Sequence, residues 1–495
     1  MNNNLDFYQY SNLETGHKTE SEVYDLMKAM SAGSQTGRDL DGTTTSGSAL
    51  KVESLDPTLR VLTNRDKHIV FWKMLPKEKA YNTVEEYNVL EDYGGDIGIF
   101  NTEGETPSFT DSQYKRESVL IKYMGVSGEV THPFTLVNLG SGVGNALGKE
   151  VQNKTQYLVR TINKSLATAN SDHVGEEFDG VFKQHYDGIV GSGDLDTYFS
   201  NSTVIDARGK ALSDANVEDA AQAVVNDNFG EISTILGSPS VFNSYVKRFH
   251  ESKRINVNNP VTATTGATMG QKVNNIQTQF GDVNVVNDIY FDKDRLTGVD
   301  YNKSATSSKS PDAPTALSYA TAVDTKTNFA DSTGDYFYAI AAKNRYGQSA
   351  VTIVDTTAVT VSANESVDIS FTYTDGSYAA ESFVVYRTKA DVTDYTTAKF
   401  YPIFTVSASE RTSGYDGAAA SKIRDRNRFL PGTSSAIVLD FNSEIITFKQ
   451  LAPMMRMDLA RTSPSYRFMV LCYGTPLCGI PKRIARIVNL GTDIS

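Results

Sequence analysis

A chain of 495 residues has room for two to four domains, and 39% hydrophobic with 21% charged residues is the composition of a folded protein. No run of about 18 apolar residues offers a membrane span, and the start, "MNNNLDFYQY", lacks the basic and apolar regions of a secretory signal. The net charge of −12, with the most basic stretch, "KRFHESKR", short and interrupted, argues against a surface that grips DNA and suits a container that must not stick to its contents.

Residues 1 to about 65 read as an arm. Stretches such as "SAGSQTGRDLDGTTTSGSA" cannot bury a core of their own. One piece, "ESEVYDLMKAM", is helix-like, with Val23, Leu26 and Met30 roughly on one face. Next comes "IVFWKMLPKEKAYNTVEEYNVL", which holds the only tryptophan, Trp72. The segment from "EDYGG" to "GEVTHPF" reads as a long hairpin, two β-rich limbs around a tip containing Gly94, Gly95, Gly98 and Gly104. Tyr93, Phe100 and Phe109 stand at the tip among acidic residues. A hairpin cannot cover both of its own faces, so these aromatics point to a partner surface.

"NLGSGVGNALGKE", Asn138 to Glu150, imitates a phosphate cradle and fails both templates. The third glycine of G-x-G-x-x-G would fall at Asn145 or Leu147. The P-loop spacing places Val143 where the first glycine belongs, and Glu150 where a magnesium-binding hydroxyl is needed. The segment is therefore a φ-permissive loop ahead of a helix, and Gly140, Gly142 and Gly144 are its flexible points. The helix covers about 143–170, with Leu147, Val151, Leu158, Ile162, Leu166 and Ala169 forming one apolar stripe. At ~1.5 Å per residue it is a strut of about 40 Å.

Residues 178–300 read as α/β. Ser213 is the expected N-cap of a helix bearing Val217, Ala221, Val224 and Asn228, with Gly230 as its C-cap. Ser238 and Pro239 start a second helix that buries Val241, Phe242, Tyr245, Val246 and Phe249. "GDVNVVNDIYF" reads as a buried strand. At about 302 a Ser/Pro linker, "YNKSATSSKSPDAPTA", marks a change, and only strand signals follow up to about 428. In "GDYFYAIAAKNRYGQSA", Tyr336, Tyr338 and Ile340 alternate with Phe337, Ala339 and Ala341. Roughly five to seven short strands make a small β-sandwich without the Cys…Trp…Cys spacing of antibody domains, closer to a fibronectin type III or bacterial immunoglobulin-like domain. Strands near 436–441, 467–473 and 484–490 then return the chain to α+β structure, so the sandwich reads as an insertion.

Catalytic patterns are missing. No H-E-x-x-H or G-x-S-x-G occurs. His173, Glu176 and His185 lack the spacing of a metal set. "GDLD" at 193–196 lacks the EF-hand glycine and closing glutamate. Cys472 and Cys478 stand C-x5-C, and Cys472 sits in the apolar run "FMVLCY" as a core residue. The expectation is no catalytic residue, no metal and no cofactor; arm, hairpin, strut and sandwich are parts for assembly.

The order of these parts resembles the major capsid protein of tailed bacteriophages with the Hong Kong 97-like fold, in versions with an immunoglobulin-like insertion. "NTVEEYNVLEDYGG" through "EGETPSFTDSQYKRESVLIKYMGVSGEV" resembles the E-loop, and "NALGKEVQNKTQYLVRTINKSLATA" the spine helix. "EEFDGVFKQ" is similar to the turn that follows it, and "LAPMMRMDLARTSPSYRFMVLCYGTPLCGIPKRIARIVNL" to the closing segment. The resemblance implies an α+β fold divided as arm 1–70, E-loop hairpin and strands of the peripheral domain 71–130, peripheral domain with spine helix 131–190, axial domain 191–301, insertion 302–430 and return to the core 431–495. It implies a non-enzymatic subunit that forms hexamers, pentamers and an icosahedral shell around double-stranded DNA. A portal and scaffolding or decoration proteins would be its partners, no membrane is involved, and the virion capsid would be its location. Inter-subunit contacts are expected from Tyr87, Tyr93, Phe100, Glu105, Phe109 and Tyr114 of the hairpin, and from Phe7, Tyr8, Tyr10, Tyr24 and Leu26 of the arm. Some relatives cross-link through an E-loop lysine. Residues 88–114 contain none, with Lys79 and Lys115 read as lying at the hairpin base, so a non-covalent shell is expected. No cleaved N-terminal scaffold is expected either. The competing readings are a phage or bacterial adhesin with the sandwich as receptor module, and an enzyme with a carbohydrate-binding sandwich.

Overall fold

The computed structural model describes residues 63, 66–95, 100–106, 109–137, 145–191, 194–250 and 273–492. The arm positions Phe7, Tyr8, Tyr10, Tyr24 and Leu26, and Gly98, Gly140, Gly142 and Gly144, lie outside the described residues. Residues 63–132 with 150–495 form one compact unit, and 133–149 belong to another.

The first elements are a short helix, α1 (Phe71–Met74), then β1 (Lys77–Lys79), β2 (Val84–Asp92), β3 (Gln113–Leu120) and β4 (Lys122–Thr131). After α2 (His132–Leu136) comes the long helix α3 (Ala146–Thr168). Leu158, Ile162 and Leu166 of its expected stripe are buried, as is Ala169 just beyond. Asn163 is buried too. Its Oδ1 accepts from the Trp72 N–H at 2.8 Å and its Nδ2 donates to Asp288 at 2.7 Å. Asp288 also accepts from the Phe71 N–H at 3.0 Å. Phe71 and Trp72 open α1, where backbone donors have no partner within the helix. One amide and one carboxylate thus satisfy them and tie α1 to α3.

The turn "EEFDGVFKQ" reverses the chain from α3 into α4 (Val181–Val190). Asp179 accepts from the Ser171 N–H at 2.9 Å, and the Gly180 N–H donates to the Ala169 carbonyl at 2.9 Å. A Cβ on Gly180 would lie 2.9 Å from the Leu166 and Ala167 carbonyl oxygens, so only glycine lets the turn close on the helix end.

Next come α5 (Leu195–Phe199), β5 (Val204–Asp206) and α6 (Asp214–Val225). Ser213 caps α6 as expected, its side chain accepting from the Asn216 N–H. The other end differs from expectation. The helix stops at Val225 with Asn226 as C-cap, and Phe229 rather than Gly230 takes a left-handed backbone (φ 53°). The Gly230 N–H still reaches back to the Val224 carbonyl at 2.9 Å. β6 (Thr234–Gly237) leads into α7 (Pro239–His250), which buries Val241, Phe242 and Tyr245. The hydroxyl of Ser238 meets Ser240 instead of capping α7; its carbonyl accepts from the Val241 and Phe242 N–H groups. β7 (Asn275–Thr278) and β8 (Gly281–Asn287) follow, then α8 (Lys293–Leu296). β8 is not the fully buried strand expected: Val283 is buried between exposed Asp282 and Asn284.

Residues 315–425 carry strands only, apart from two short helical turns. They are β9 (Thr315–Val323), β10 (Gly334–Tyr336), β11 (Tyr338–Asn344), β12 (Gly347–Gln348), β13 (Thr352–Ile353) and β14 (Val359–Val361). β15 (Glu365–Thr372), β16 (Ser382–Arg387) and β17 (Tyr401–Ser407) follow, then helix α9 (Ala408–Ser413) and β18 (Lys422–Asp425). One sheet has the order β12-β11-β16-β17, with β13 also on β11; a second runs β18-β15-β9; β10 and β14 form a short ladder. All three contribute to one core, through Tyr338, Ile340, Phe383 and Val385, through Val367, Ile369 and Ile423, and through Tyr336, Val359 and Val361. Phe337, Ala339 and Ala341 enter a second core on the opposite face. The alternation read in the sequence is therefore real, and both of its faces are covered.

The chain closes with β19 (Ser434–Leu439), β20 (Ile446–Asp458), β21 (Ser465–Cys478) and β22 (Ala485–Leu490). A mixed sheet orders β5-β22-β19-β6-β8-β7, and α6 and α7 cover one of its faces. A four-stranded sheet orders β1-β20-β21-β4. In it Gly128 of β4 pairs with Phe468 of β21; a Cβ there would fall 2.5 Å from the ring. Cys472 and Cys478 are both buried and free, their thiols pushed up to about 11 and about 12 by burial.

Candidate interaction surface

The β2–β3 ladder pairs antiparallel from Val84↔Leu120 at its base to Asp92↔Gln113 near its tip. No residue of either strand is fully buried. Tyr93, Phe100, Phe109 and Tyr114 are 83%, 93%, 93% and 73% exposed. An isolated two-stranded ribbon is marginal in water, and apolar rings left in solvent forgo their burial free energy.

The tip has local order. Asp92 accepts from the Gly94 N–H at 3.2 Å, which holds its carboxyl below the usual range. Gly94 and Gly95 take φ of 135° and 74°, open only to glycine at low cost. Glu105 accepts from the Thr102 hydroxyl at 2.6 Å, so its carboxylate is also held low and stays charged. Tyr87 differs from the other five residues. It is half-buried, and burial together with Glu117 pushes its hydroxyl up to about 12. Lys115 pairs with Val89 at the base of the 88–114 tip, exposed and ion-paired with Glu117.

The other sequence candidates do not form a chemical site. His173 lies near Asn170, and burial pushes it down to about 4. Glu176 pairs with Arg345 at 2.5 Å. His185 donates from Nε2 to the Ile484 carbonyl at 2.7 Å and accepts at Nδ1 from the Tyr198 hydroxyl, 3.0 Å away. That tautomer needs a neutral ring, and burial with Arg486 nearby lowers the pKa to about 3. No group of metal-ligating side chains converges among the described residues, and none of their helices is long and apolar enough to cross a membrane.

Sequence reasoning missed a charged seam in "KIRDRNRF". The period of two in β18 and its continuation sends Asp425 inward to Arg387 (2.6 Å) and the Tyr338 hydroxyl (2.9 Å). The alternate arginines face the other way. Arg424 meets Asp368 at 2.6 Å, Arg426 meets Asp324 and Asp416 at 2.7 and 2.8 Å, and Arg428 meets Asp416 and Asp196. Asp196 belongs to α5, so the seam joins the 315–425 strands to the mixed-sheet side of the molecule. The strict Arg-x-Arg-x-Arg alternation was its available signal.

Comparison with known proteins gives these parts a context. Residues 39–313 match the family model described as SU10 major capsid protein, which is more than half of the chain. The chain belongs to the SU10 major capsid protein family. It is 23% identical over 482 residues to a putative major capsid protein of Enterococcus phage phiEF24C, covering 95% of this chain and 97% of that one. It is 22% identical over 469 residues to the major capsid protein of Staphylococcus phage K, covering 89% and 90%. Among solved structures, the capsid of a native GTA particle is similar at 8% identity and TM-score 0.44, over 92% of this chain and 99% of that one. A Mycobacterium phage Bobi chain is similar at 8% identity and TM-score 0.39, over 89% and 96%. The protein is a structural subunit of a phage, and its place is the virion capsid.

Proposed function

We propose that this subunit builds an icosahedral head with the Hong Kong 97-like layout and without catalysis. Copies associate into hexamers and pentamers around double-stranded DNA. The β2–β3 hairpin acts as the E-loop, laid over a neighbouring copy, and the N-terminal arm clamps another. α3 is the spine helix of the peripheral domain, residues 191–301 are the axial domain, and 302–430 are an immunoglobulin-like insertion on the outer face. The observation that carries this reading is the hairpin: four aromatic rings in solvent on a ribbon with no fully buried residue. In a shell-forming family the available cover is a second copy of the chain, and many modest interfaces of roughly 1,200–2,000 Å² each would hold a shell without covalent links.

Deleting residues 92–108 is the test. Negative-stain microscopy should show soluble subunits or small rings in place of shells. Shells of normal size from the deleted protein would overturn the hairpin's role. Glycan binding by a stable monomer of the intact chain would favour the adhesin reading instead.

A further inference from the structure

A cavity of about 570 Å³ lies where α3, α4 and α8 face β16 and β17 of the all-β region. That volume is in the range of small-molecule sites. Two arginines from distant parts of the sequence line it, Arg295 of α8 and Arg486 of β22. Alternation along β22 turns Ala485 and Ile487 toward α6 and α7, and so turns Arg486 to the opposite face of the sheet.

Both guanidinium groups lie over aromatic rings. Arg486 sits 3.7 Å from the centroid of Phe182, and Arg295 5.0 Å from that of Phe429. Stacking covers the faces and leaves the N–H edges to find partners. These partners are few. Arg486 is 8% exposed, and its only bonds among the described residues are long ones, 3.4 Å to the Tyr198 hydroxyl and 3.3 Å to Ser435. Its Nε has none, and neither do Nε and Nη1 of Arg295. Arg295 reaches Thr433 at 3.4 Å and stands 3.9 Å from the Asp292 carboxylate.

Among the described residues, Asp292 is the buried carboxylate that faces both arginines, and it also accepts from the Ser435 N–H at 2.9 Å. His185, bonded to the same Tyr198 hydroxyl, is neutral. Arg486 is buried and the Arg295 side chain is 12% exposed; Asp206 also acts on Arg295, but no second carboxylate among the described residues stands against Arg486, so positive charge held largely out of water is only partly paired, which is unfavourable. Of the other cations at the cavity wall, Lys164 pairs with Asp294, Lys183 with Asp172 and Asp187, and Lys343 with Glu177, while Lys293, over the Tyr290 ring, and Lys303 are exposed to water.

We propose that this cavity binds a phosphate group, held edge-on by Arg295 and Arg486 with the Tyr198 hydroxyl beside it. Guanidinium edges match the oxygens of phosphate in a bidentate fashion, and the missing negative charge is the one such a group brings. Aromatic side chains at the wall, Tyr186, Tyr290 and Tyr386 among them, give room for a base to stack if the phosphate belongs to a nucleotide. Because walls come from α3, α4 and α8 on one side and β16 and β17 on the other, the bound anion would brace the all-β region against the rest of the subunit.

Thermal unfolding of the purified full chain tests this, with inorganic phosphate and AMP as separate additions against chloride at equal ionic strength. At about a hundredfold excess over Kd, either should raise Tm by about 3 °C for a chain of this size. Free phosphate acting as well as AMP assigns the site to the ion; AMP acting at much lower concentration assigns it to a nucleotide. Arg295→Gln should abolish the rise, and Arg295→Lys should keep part of it. Arg486 is deep in the sheet, so Arg295 carries the test. The proposal fails if neither compound shifts the wild-type Tm, or if Arg295→Gln shifts as the wild type does. It also fails if a density map of the assembled shell shows the cavity filled by a neighbouring subunit's side chain.

Discussion

β2 and β11 are both strands of this chain, and they have opposite relations to water. Every described residue of β2 is exposed or half-buried, while β11 is buried along its length except at Lys343. β11 has strands on both edges and a core on each face, so its stability is intramolecular. β2 has one neighbouring strand and no buried residue, and in the proposed function its further cover comes from another copy of the chain. The comparison separates the parts of a shell subunit that make the subunit from those that make the shell. Substitutions should then have effects on the isolated subunit that decline from the all-β region, through the helices on the mixed sheet, to the hairpin.

The largest effect belongs to Arg387. Its side chain and that of Asp425 are 0% and 1% exposed and joined at 2.6 Å. Removing one partner of a buried pair leaves the other charge uncompensated, at about 3–5 kcal/mol. Arg387→Met should therefore lower the thermal midpoint of the unassembled subunit more than any hairpin change, and Arg387→Met with Asp425→Leu should recover a large part of the loss. A single substitution that leaves the midpoint unchanged would break the contrast at its buried end.

The next effect is one of pH. The folded pKa of His185, about 3, lies below the unfolded value of ~6.5. The unfolded chain therefore binds a proton that the folded one refuses. The contribution to stability is complete above pH ~6.5 and falls as pH drops from there toward 3, by roughly 2 kcal/mol at pH 5. His173, lowered to about 4, acts with the same sign. His185→Gln keeps a donor for Ile484 and an acceptor for Tyr198 but cannot titrate, so its midpoint should fall less between pH 7 and 5. Equal pH slopes in both proteins would remove His185 from the account. Smaller again is the α6 cap: Ser213→Ala should cost about 1 kcal/mol in chemical denaturation, with Ser213→Thr close to wild type.

The sequence was legible where local rules and packing agree. The two faces of β11 were readable because alternation survived into two covered cores. Ser213 was readable because capping is local. The long helix was readable from its stripe, although nothing in the stripe foretold that Asn163 would bury within it to serve α1 and Asp288. β20 went unread because register shifts at Gln450/Ala452 and Ala452/Met455 break its alternation. β8 looked buried because three valines lie close together, and only the sheet order reveals that one face stays in solvent. The candidate surface was legible as exposed rings around a glycine-rich tip. Arg295 and Arg486 were not legible as a pair, because the fold alone brings them together.

The smallest effect on the isolated subunit is the most informative. Phe100 and Phe109 are each 93% exposed, and neither ring packs against another aromatic ring or a cation among the described residues. Exposed positions without such contacts usually change stability by no more than about 0.5 kcal/mol. Phe100→Ser with Phe109→Ser should leave the midpoint of the unassembled subunit within that margin. Sedimentation of the same protein should show less material in shells, because burying an aromatic ring against a partner is worth about 1.5–3 kcal/mol and a shell repeats each contact. The split between the two readouts is what distinguishes a contact surface from a structural one. A lowered midpoint would mean that the rings are covered by their own chain, and normal assembly with a normal midpoint would mean that nothing covers them.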